Sequence, residues 1–142
     1  MTAPPDQLVA TYLRALTTAD PVLAVSLFTD DGVVHSPLYG PLPASEFYPA
    51  LFADTSQANL TLKAVMRGTE QTGRPTVSFW FHFDWRLPSG AAAPFDVVDV
   101  ATLAPDGRVE ELHIVYDTVD VRPAFEADVG RSSWRRVDHE GL

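Results

Sequence analysis

The chain has 142 residues, a length typical of one domain, and its 46% hydrophobic and 20% charged residues exclude wholesale disorder. Its net charge of −9 argues against nucleic acid or an anionic membrane as partner, because both require a basic surface. The absence of cysteine excludes disulfides and thiolate chemistry. There is no basic segment leading into a long apolar run and no stretch apolar enough to span a membrane, so we expect a cytoplasmic protein.

The first half of the chain carries helical patterns. Apolar residues between positions 8 and 16 recur at helical spacing and predict a first helix. Asp20-Pro21 is typical of a helix start, an N-cap followed by proline, and predicts a short second helix. Residues 33–36 predict a strand and residues 37–43 a loop rich in proline. Ser45 is expected to cap a third helix.

The second half of the chain predicts a sheet. β-branched and aromatic residues dominate four segments that are separated by turn residues, namely 60–66, 76–87, 94–103 and 109–117. Helices followed by successive hairpins predict an α+β fold with an antiparallel sheet and the helices on one face. Because no repeat or linker interrupts the pattern, residues 1–142 are expected to form one domain, with 118–142 as a C-terminal tail.

The longest predicted strand divides its side chains between two faces, because strand residues alternate. One face is entirely aromatic, and it either packs against several helices or lines a cavity. The other face mixes a tryptophan with charged residues, as expected for a surface that a partner subunit partly covers. The aromatic face consists of Phe79, Phe81, Phe83 and Trp85, and the opposite face of Trp80, His82, Asp84 and Arg86.

Between residues 7 and 117, several short segments follow one another in a characteristic order. They run from Tyr12-Leu13-Arg14-Ala15-Leu16 through residues 27–34 and Ser36-Pro37 to residues 96–100 and Tyr116. In this order the chain resembles the nuclear transport factor 2-like superfamily, which includes ketosteroid isomerase and SnoaL-like polyketide cyclases. The resemblance implies a cone-shaped, curved, mostly antiparallel sheet that encloses an apolar pocket together with three N-terminal helices.

The resemblance also implies a pair of catalytic residues. In ketosteroid isomerase, a tyrosine of the first helix and an aspartic acid of the penultimate strand hydrogen-bond the oxygen of a developing enolate. Tyr12 and Asp99 stand at the matching positions. As is known for that isomerase, a carboxyl group in an apolar pocket stays protonated and can donate, because burial disfavours its charged form.

The general base of the isomerase, an aspartate before a proline in the first strand, is replaced here by Ser36, which cannot act as a base unaided. The candidates for the base are His35, Asp117 and His113, although strand alternation directs His35 away from the pocket. The Asp-Arg-Asp arrangement of limonene-type epoxide hydrolases is not matched, since Ile114 replaces one of its aspartates. The implied pocket lining is Leu16, Phe28, Ser36, Tyr39, Phe47, Phe52, Phe79, Phe81, Phe83, Trp85, Ala101, Leu112, Ile114 and Tyr116.

The resemblance therefore implies an enzyme that moves protons on a small apolar molecule, polyketide- or steroid-like, without a cofactor. The alternatives are a pocket that only binds an apolar ligand, and a dimerisation domain with a vestigial pocket. His82, Asp84 and His113 could form a two-histidine, one-carboxylate set on the outer sheet face. We interpret them instead as polar contacts in a homodimer formed through that face, and expect no metal site.

Overall fold

The computed structural model describes residues 5–135 and comprises four helices and one six-stranded sheet. Residues 1–4 and 136–142 of the expected domain lie outside the described residues. The helices are α1 (Pro5–Thr18), α2 (Pro21–Ser26), α3 (Ala44–Ala53) and α4 (Val121–Val129). The strands are β1 (Phe28–Ser36), β2 (Gly40–Pro43), β3 (Gln57–Thr69), β4 (Pro75–Arg86), β5 (Phe95–Leu103) and β6 (Val109–Val115).

The sheet has the order β2-β1-β6-β5-β4-β3, and its neighbours are antiparallel except for the parallel pair β1 and β6. Register shifts interrupt the ladders in β3, between Leu62 and Ala64, in β6, where Glu110 has no partner opposite Thr102 and Leu103, and in β1, between Phe28 and Val33. Such bulges bend a strand and increase its twist. The sheet is curved and does not close, and the predicted α+β cone fold is confirmed.

One detail of the helical half agrees with the prediction and two differ from it. Asp20 caps α2 as expected, with its carboxylate accepting from the amide of Leu23 at 3.0 Å. Ser45 does not cap α3, because the helix already begins at Ala44 and the N-cap position is occupied by Pro43, which makes no side-chain cap bond. The predicted loop 37–43 contains the short strand β2, which pairs with β1 through backbone bonds that composition alone does not reveal.

Strand β4 alternates as predicted. Its inward residues Val77, Phe79, Phe81, Phe83 and Trp85 are each 5% exposed or less, whereas Trp80 on the outer face is 40% exposed. Helices α1 and α3 cover the inner face, to which α1 contributes the buried residues Leu8, Val9, Tyr12, Ala15 and Leu16.

The C-terminal tail contains helix α4, which the sequence analysis did not predict. Phe125 of this helix is 1% exposed, and its ring lies 5.6 Å from the rings of both Trp85 and Tyr39. The amide of Trp134 donates to the carbonyl of Leu38 at 2.8 Å, and Arg122 donates to the carbonyl of Pro37 at 3.0 Å. The tail is therefore packed against the sheet and against the loop that follows β1.

Candidate active site

A cleft lies between helices α1 and α3 and the inner face of the sheet. Its cavity has a volume of only about 40 Å³, enough for a few water molecules, so the side chains of its walls lie close together. Aromatic and aliphatic side chains make up most of its wall, so a bound molecule would meet an apolar surface with a few hydroxyl groups and one carboxyl group. The lining residues are Tyr12, Leu16, Ser36, Tyr39, Phe47, Leu51, Phe81, Phe83, Trp85, Phe95, Val97, Asp99, Ile114 and Tyr116.

Tyr12 and Asp99 both belong to this wall, and both are almost completely buried, at 5% and 1% exposure. Tyr12 comes from the apolar face of α1, and Asp99 from the inward-facing row of β5, opposite Phe79 of β4. Among the described residues, Asp99 Oδ1 is the buried side-chain polar atom that has no hydrogen-bond partner. A buried acceptor without a partner costs free energy, so this atom is a natural contact point for a ligand.

Tyr12 and Asp99 of this wall form a polar group together with a third residue, Tyr48 of α3. Its hydroxyl donates to the hydroxyl oxygen of Tyr12 at 2.9 Å, and the rings of the two tyrosines pack edge to face. Because Tyr48 supplies a hydrogen to Tyr12, the hydrogen of Tyr12 is available to Asp99 or to a ligand. Successive hydrogen bonds polarise one another, so the bond from Tyr48 makes the hydroxyl of Tyr12 a stronger donor.

Burial determines the protonation of this group. It raises the pKa of the Asp99 carboxyl well above its usual range, and the neighbouring hydroxyl of Tyr12 offsets only part of this effect. Burial also raises the pKa of Tyr12 and Tyr48 well above that of a free tyrosine. The arrangement therefore favours neutral hydroxyl and carboxylic acid groups, which are the forms that can donate hydrogen bonds.

A second polar group borders the cleft beside α4. The hydroxyl of Tyr39 donates to Asp54 Oδ2 at 2.7 Å, and Arg131 donates to the same oxygen at 2.5 Å. Burial raises the pKa of Tyr39. The guanidinium of Arg131 also lies 5.6 Å from the ring centre of Phe125. This group holds the residues after α4 against α3 and neutralises the Asp54 carboxylate with a cation.

Most of the residues that the resemblance implied for the pocket lie in the cleft wall, but five do not. Phe28, Phe79, Ala101 and Leu112 line a smaller cavity on another side of Tyr12. The ring of Tyr12 meets that of Phe79 edge to face at 5.5 Å, so Tyr12 separates this cavity from the cleft. Phe52, the fifth, packs against Tyr48 with ring centres 6.0 Å apart and is absent from the lining of the cleft.

The three candidate bases and Ser36 occupy different places. Ser36 is buried in the cleft wall, where its Oγ accepts from the amides of Leu38 and Tyr39, both at 3.2 Å. His35 and His113 point to the outer face of the sheet, where their rings stack at 4.2 Å. Asp117 is exposed and accepts from the amide of Val119 at 2.9 Å. None of these three candidate bases belongs to the lining of the cleft.

The sequence reasoning missed Tyr48 and the lining residues Leu51, Phe95 and Val97. Val97 lies two residues from Asp99 on the same strand face, and Leu51 lies one helical turn from Phe47. Both could therefore have been predicted from their spacing to a residue that the sequence analysis did assign to the pocket. Phe95 stacks on Tyr116 at 4.1 Å, a contact between strands that spacing does not reveal.

The set His82, Asp84 and His113 is not brought together. His82 Nδ1 lies 2.7 Å from Asp96 Oδ1, whereas Asp84 is paired with Arg86 at 3.4 Å. In the part of the chain that the structure describes, the three possible metal ligands that converge are instead His35, Glu111 and His113.

Solved structures of low sequence identity share this fold. The epoxide hydrolase/cyclase-like enzyme SalBIII, described in pyran ring formation in the polyether salinomycin, is 18% identical, with a TM-score of 0.66 over 82% of this chain and 92% of that chain. A protein of ketosteroid isomerase-like fold from Catenulispora acidiphila DSM 44928, in complex with trimethylamine, is 14% identical, with a TM-score of 0.69 over 92% of this chain and 95% of that chain. An NTF2-like protein from Exiguobacterium sp. 255-15 is 18% identical, with a TM-score of 0.64 over 78% of this chain and 98% of that chain.

A curved sheet with helices over a cleft, shared with these structures, defines the class of nuclear transport factor 2-like domains. Residues 9–112 match the sequence profile of the SnoaL-like domain. The chain belongs to the SnoaL-like family of this superfamily, as its sequence predicts. A comparison with curated proteins gives no match. Within residues 5–135, no helix is long and apolar enough to cross a membrane.

Proposed function

We propose that the protein is a small-molecule enzyme that transfers protons through an enolate-like state on an apolar, polyketide- or steroid-like substrate. The observation that carries the proposal is the unpartnered Oδ1 of Asp99, which lies beside Tyr12 in an aromatic cleft. A substrate carbonyl placed between these groups would accept hydrogen bonds from both. As the oxygen gains negative charge, these bonds strengthen, and stabilisation that grows toward the transition state accelerates the reaction.

The aromatic wall supports the choice of substrate. Phe81, Phe83, Trp85, Phe95 and Tyr116 offer flat apolar surfaces around the cleft. Because the cavity has a volume of only about 40 Å³, a ring system of comparable flatness would have to part these walls, and its polar oxygen would then meet Tyr12 and Asp99. The fold is also that of SalBIII, an epoxide hydrolase/cyclase-like enzyme, which supports a cyclisation as one form of the reaction.

The proposed mechanism also requires a general base to move the substrate proton. Within residues 5–135, the lining contains no histidine, no lysine and no carboxyl group besides Asp99. A role for His35 or Asp117, both outside the lining, requires water to carry the proton. This same observation favours the second candidate function, a pocket that binds an apolar hydroxylated ligand without turnover.

A bound phenol distinguishes these functions from an inert cleft, because its oxygen imitates that of an enolate. We expect 2-naphthol to bind the wild-type protein, and Tyr12→Phe to weaken binding by about 0.5–1.5 kcal/mol, or roughly 2- to 13-fold, the usual contribution of a neutral hydrogen bond. Fluorescence titration measures this affinity. The matched control is Tyr116→Phe, which removes another hydroxyl from the same wall. Equal losses in the two variants would contradict a specific role of Tyr12.

Hydrogen exchange at the carbon next to a carbonyl separates enzyme from carrier. We expect the wild-type protein to accelerate exchange of deuterium into 2-tetralone, followed by proton NMR, and Asp99→Asn to lose most of the acceleration. Equal rates for the two proteins would contradict the enzymatic role of Asp99. Naphthol binding with no exchange in either protein would support the carrier.

We also propose a homodimer through the outer sheet face, as the sequence suggested. Trp80, Val98 and Val115 are register partners across three strands, and Met66 and Val100 lie in the next row. Trp80, Met66 and Val115 are 40%, 43% and 58% exposed. Ser78 lies between Met66 and Val100, and Lys63 lies over the ring of Trp80, so the patch is an apolar strip with polar neighbours. Exposed apolar surface on a chain of net charge −9 favours an interface. A cytoplasmic location and the absence of nucleic-acid and membrane partners stay predictions from composition.

Light scattering coupled to gel filtration tests this interface. We expect the wild-type protein to run as a dimer and Trp80→Asp to run as a monomer with an unchanged circular dichroism spectrum, because this change removes the largest apolar side chain of the patch and puts a charge in its place. Leu62→Asp is the matched control, since Leu62 is 45% exposed but pairs with Phe81 in the inward-facing row. A wild-type monomer would contradict the proposal.

A further inference from the structure

A cluster of three potential metal ligands lies on the outer face of the sheet, away from the cleft. The ligand atoms of His35, Glu111 and His113 all lie within 4.8 Å of one another. His35 Nε2 is 3.0 Å from Glu111 Oε1. Two imidazoles and one carboxylate are a ligand set that suits Zn²⁺ and related divalent ions.

The parallel pairing of β1 with β6 creates this cluster. His35 and His113 are register partners in that pair, so their side chains leave the sheet on the same side. Glu111 precedes His113 by two residues and therefore shares its face. His35 and Glu111 are 76 positions apart in the chain, so no local sequence motif reveals the cluster.

The exposure of the cluster is compatible with metal binding. In a single chain the side chains of His35 and Glu111 are 36% and 48% exposed, so an ion can reach them from solvent; His113 is the register partner of Val100, so the cluster adjoins the proposed dimer face. Among the described residues, no lysine or arginine is hydrogen-bonded to Glu111, whose polar partner is His35.

The imidazole rings need one adjustment. They are stacked with centres 4.2 Å apart and planes 3° apart. The lone pair of an imidazole nitrogen lies in the plane of its ring, so one ion cannot lie in both planes while the rings are parallel. Rotation of the exposed ring of His113 about its side-chain bonds would turn its nitrogen toward His35 and Glu111.

We propose that His35, His113 and Glu111 bind one Zn²⁺-class divalent ion across the parallel seam between β1 and β6. Such an ion would cross-link two strands whose mutual contact depends on parallel pairing, which is slightly less stable per residue than antiparallel pairing. The residues that follow the two histidines, Ser36 and Ile114, belong to the wall of the cleft. The ion would therefore stiffen that wall from the outer face of the sheet without contacting the substrate.

Isothermal titration of ZnCl₂ into metal-free protein tests the site. The parent protein carries His139→Ala, because His139 lies outside the described residues and would supply another imidazole. We expect one zinc per chain, and a loss of affinity of about tenfold or more in both His35→Ala and His113→Ala, since loss of even an outer partner of a ligand costs about 10- to 100-fold. We expect Glu111→Gln to weaken binding as well.

The matched control is His82→Ala. His82 is also an exposed outer-face histidine beside a carboxylate, at 2.7 Å from Asp96, but it does not belong to the three-ligand cluster. We expect this variant to bind zinc like the parent. Absence of zinc binding by the parent, equal affinity in parent and His113→Ala, or one zinc per two chains would overturn the proposal. Loss of binding in His82→Ala would also overturn it.

Discussion

At about pH 8, the Asp99→Asn variant is expected to be more stable than the wild-type protein, and this advantage shrinks as the pH falls toward about 4. The reason is that burial raises the pKa of the Asp99 carboxyl in the folded protein well above its value in the unfolded chain. Asparagine has nearly the same shape and carries no charge at any pH, so it removes this titration.

The direction follows from the protons bound by each state. Between the unfolded and the folded pKa of Asp99, the folded protein holds a proton that the unfolded chain has lost. The free energy of unfolding therefore falls as the pH rises, by up to about 1.4 kcal/mol per pH unit from this group. Below about pH 4, both states are protonated and the contribution of Asp99 no longer changes.

Urea denaturation at a series of pH values measures this effect. The slope is more informative than the difference at one pH, because the amide of asparagine alters hydrogen bonding by a constant amount. Asp117→Asn removes an exposed carboxylate instead and is the control for the loss of one acidic residue. Parallel curves for wild type and Asp99→Asn would show that Asp99 does not hold a proton in the folded state.

The Phe125→Ala variant is expected to lose about 3–5 kcal/mol of stability, the usual cost of truncating a buried phenylalanine. Phe125 is 1% exposed, and it stacks on Trp85 and meets Tyr39 edge to face. Both of these partners line the cleft. Its removal would leave an apolar void between α4 and the sheet, and it would remove the ring over which Arg131 lies.

Thermal or urea denaturation of Phe125→Ala measures the loss. The control is Val119→Ala, a truncation just before α4 at a side chain that is 68% exposed, for which we expect a change within about 0.5 kcal/mol. A loss below about 1 kcal/mol in Phe125→Ala would show that α4 is not part of the cooperative fold. In that case the tail would not contribute to the stability of the domain.

Asp99 lowers the stability of the fold but serves the proposed reaction, and this combination distinguishes a functional site from a hydrophobic core. A valine-rich strand would pack well with one more apolar residue at position 99, and the unpartnered oxygen costs stability. Proteins retain such groups where binding or catalysis uses them. Stabilisation by Asp99→Asn together with loss of deuterium exchange would be consistent with this interpretation.

Periodicity by itself determined much of the sheet and of α1. The alternation of β4 assigned Phe79, Phe81, Phe83 and Trp85 to one face, and helical spacing placed Tyr12 on the apolar face of α1, because these periods follow from backbone geometry alone. Family resemblance added Asp99. These patterns are local, and none of them depends on which other element packs against the helix or strand.

Only the tertiary structure decided which inward residues meet the cleft. Phe79 and Phe81 lie on the same strand face, yet the ring of Tyr12 leaves Phe81 in the cleft wall and places Phe79 beside the smaller cavity. Tyr48 became part of the polar group because α3 packs close enough to α1 for a hydrogen bond of 2.9 Å. His35, Glu111 and His113 converge because β1 pairs in parallel with β6. Each of these outcomes depends on the distance and register between elements far apart in the chain, which no local period specifies.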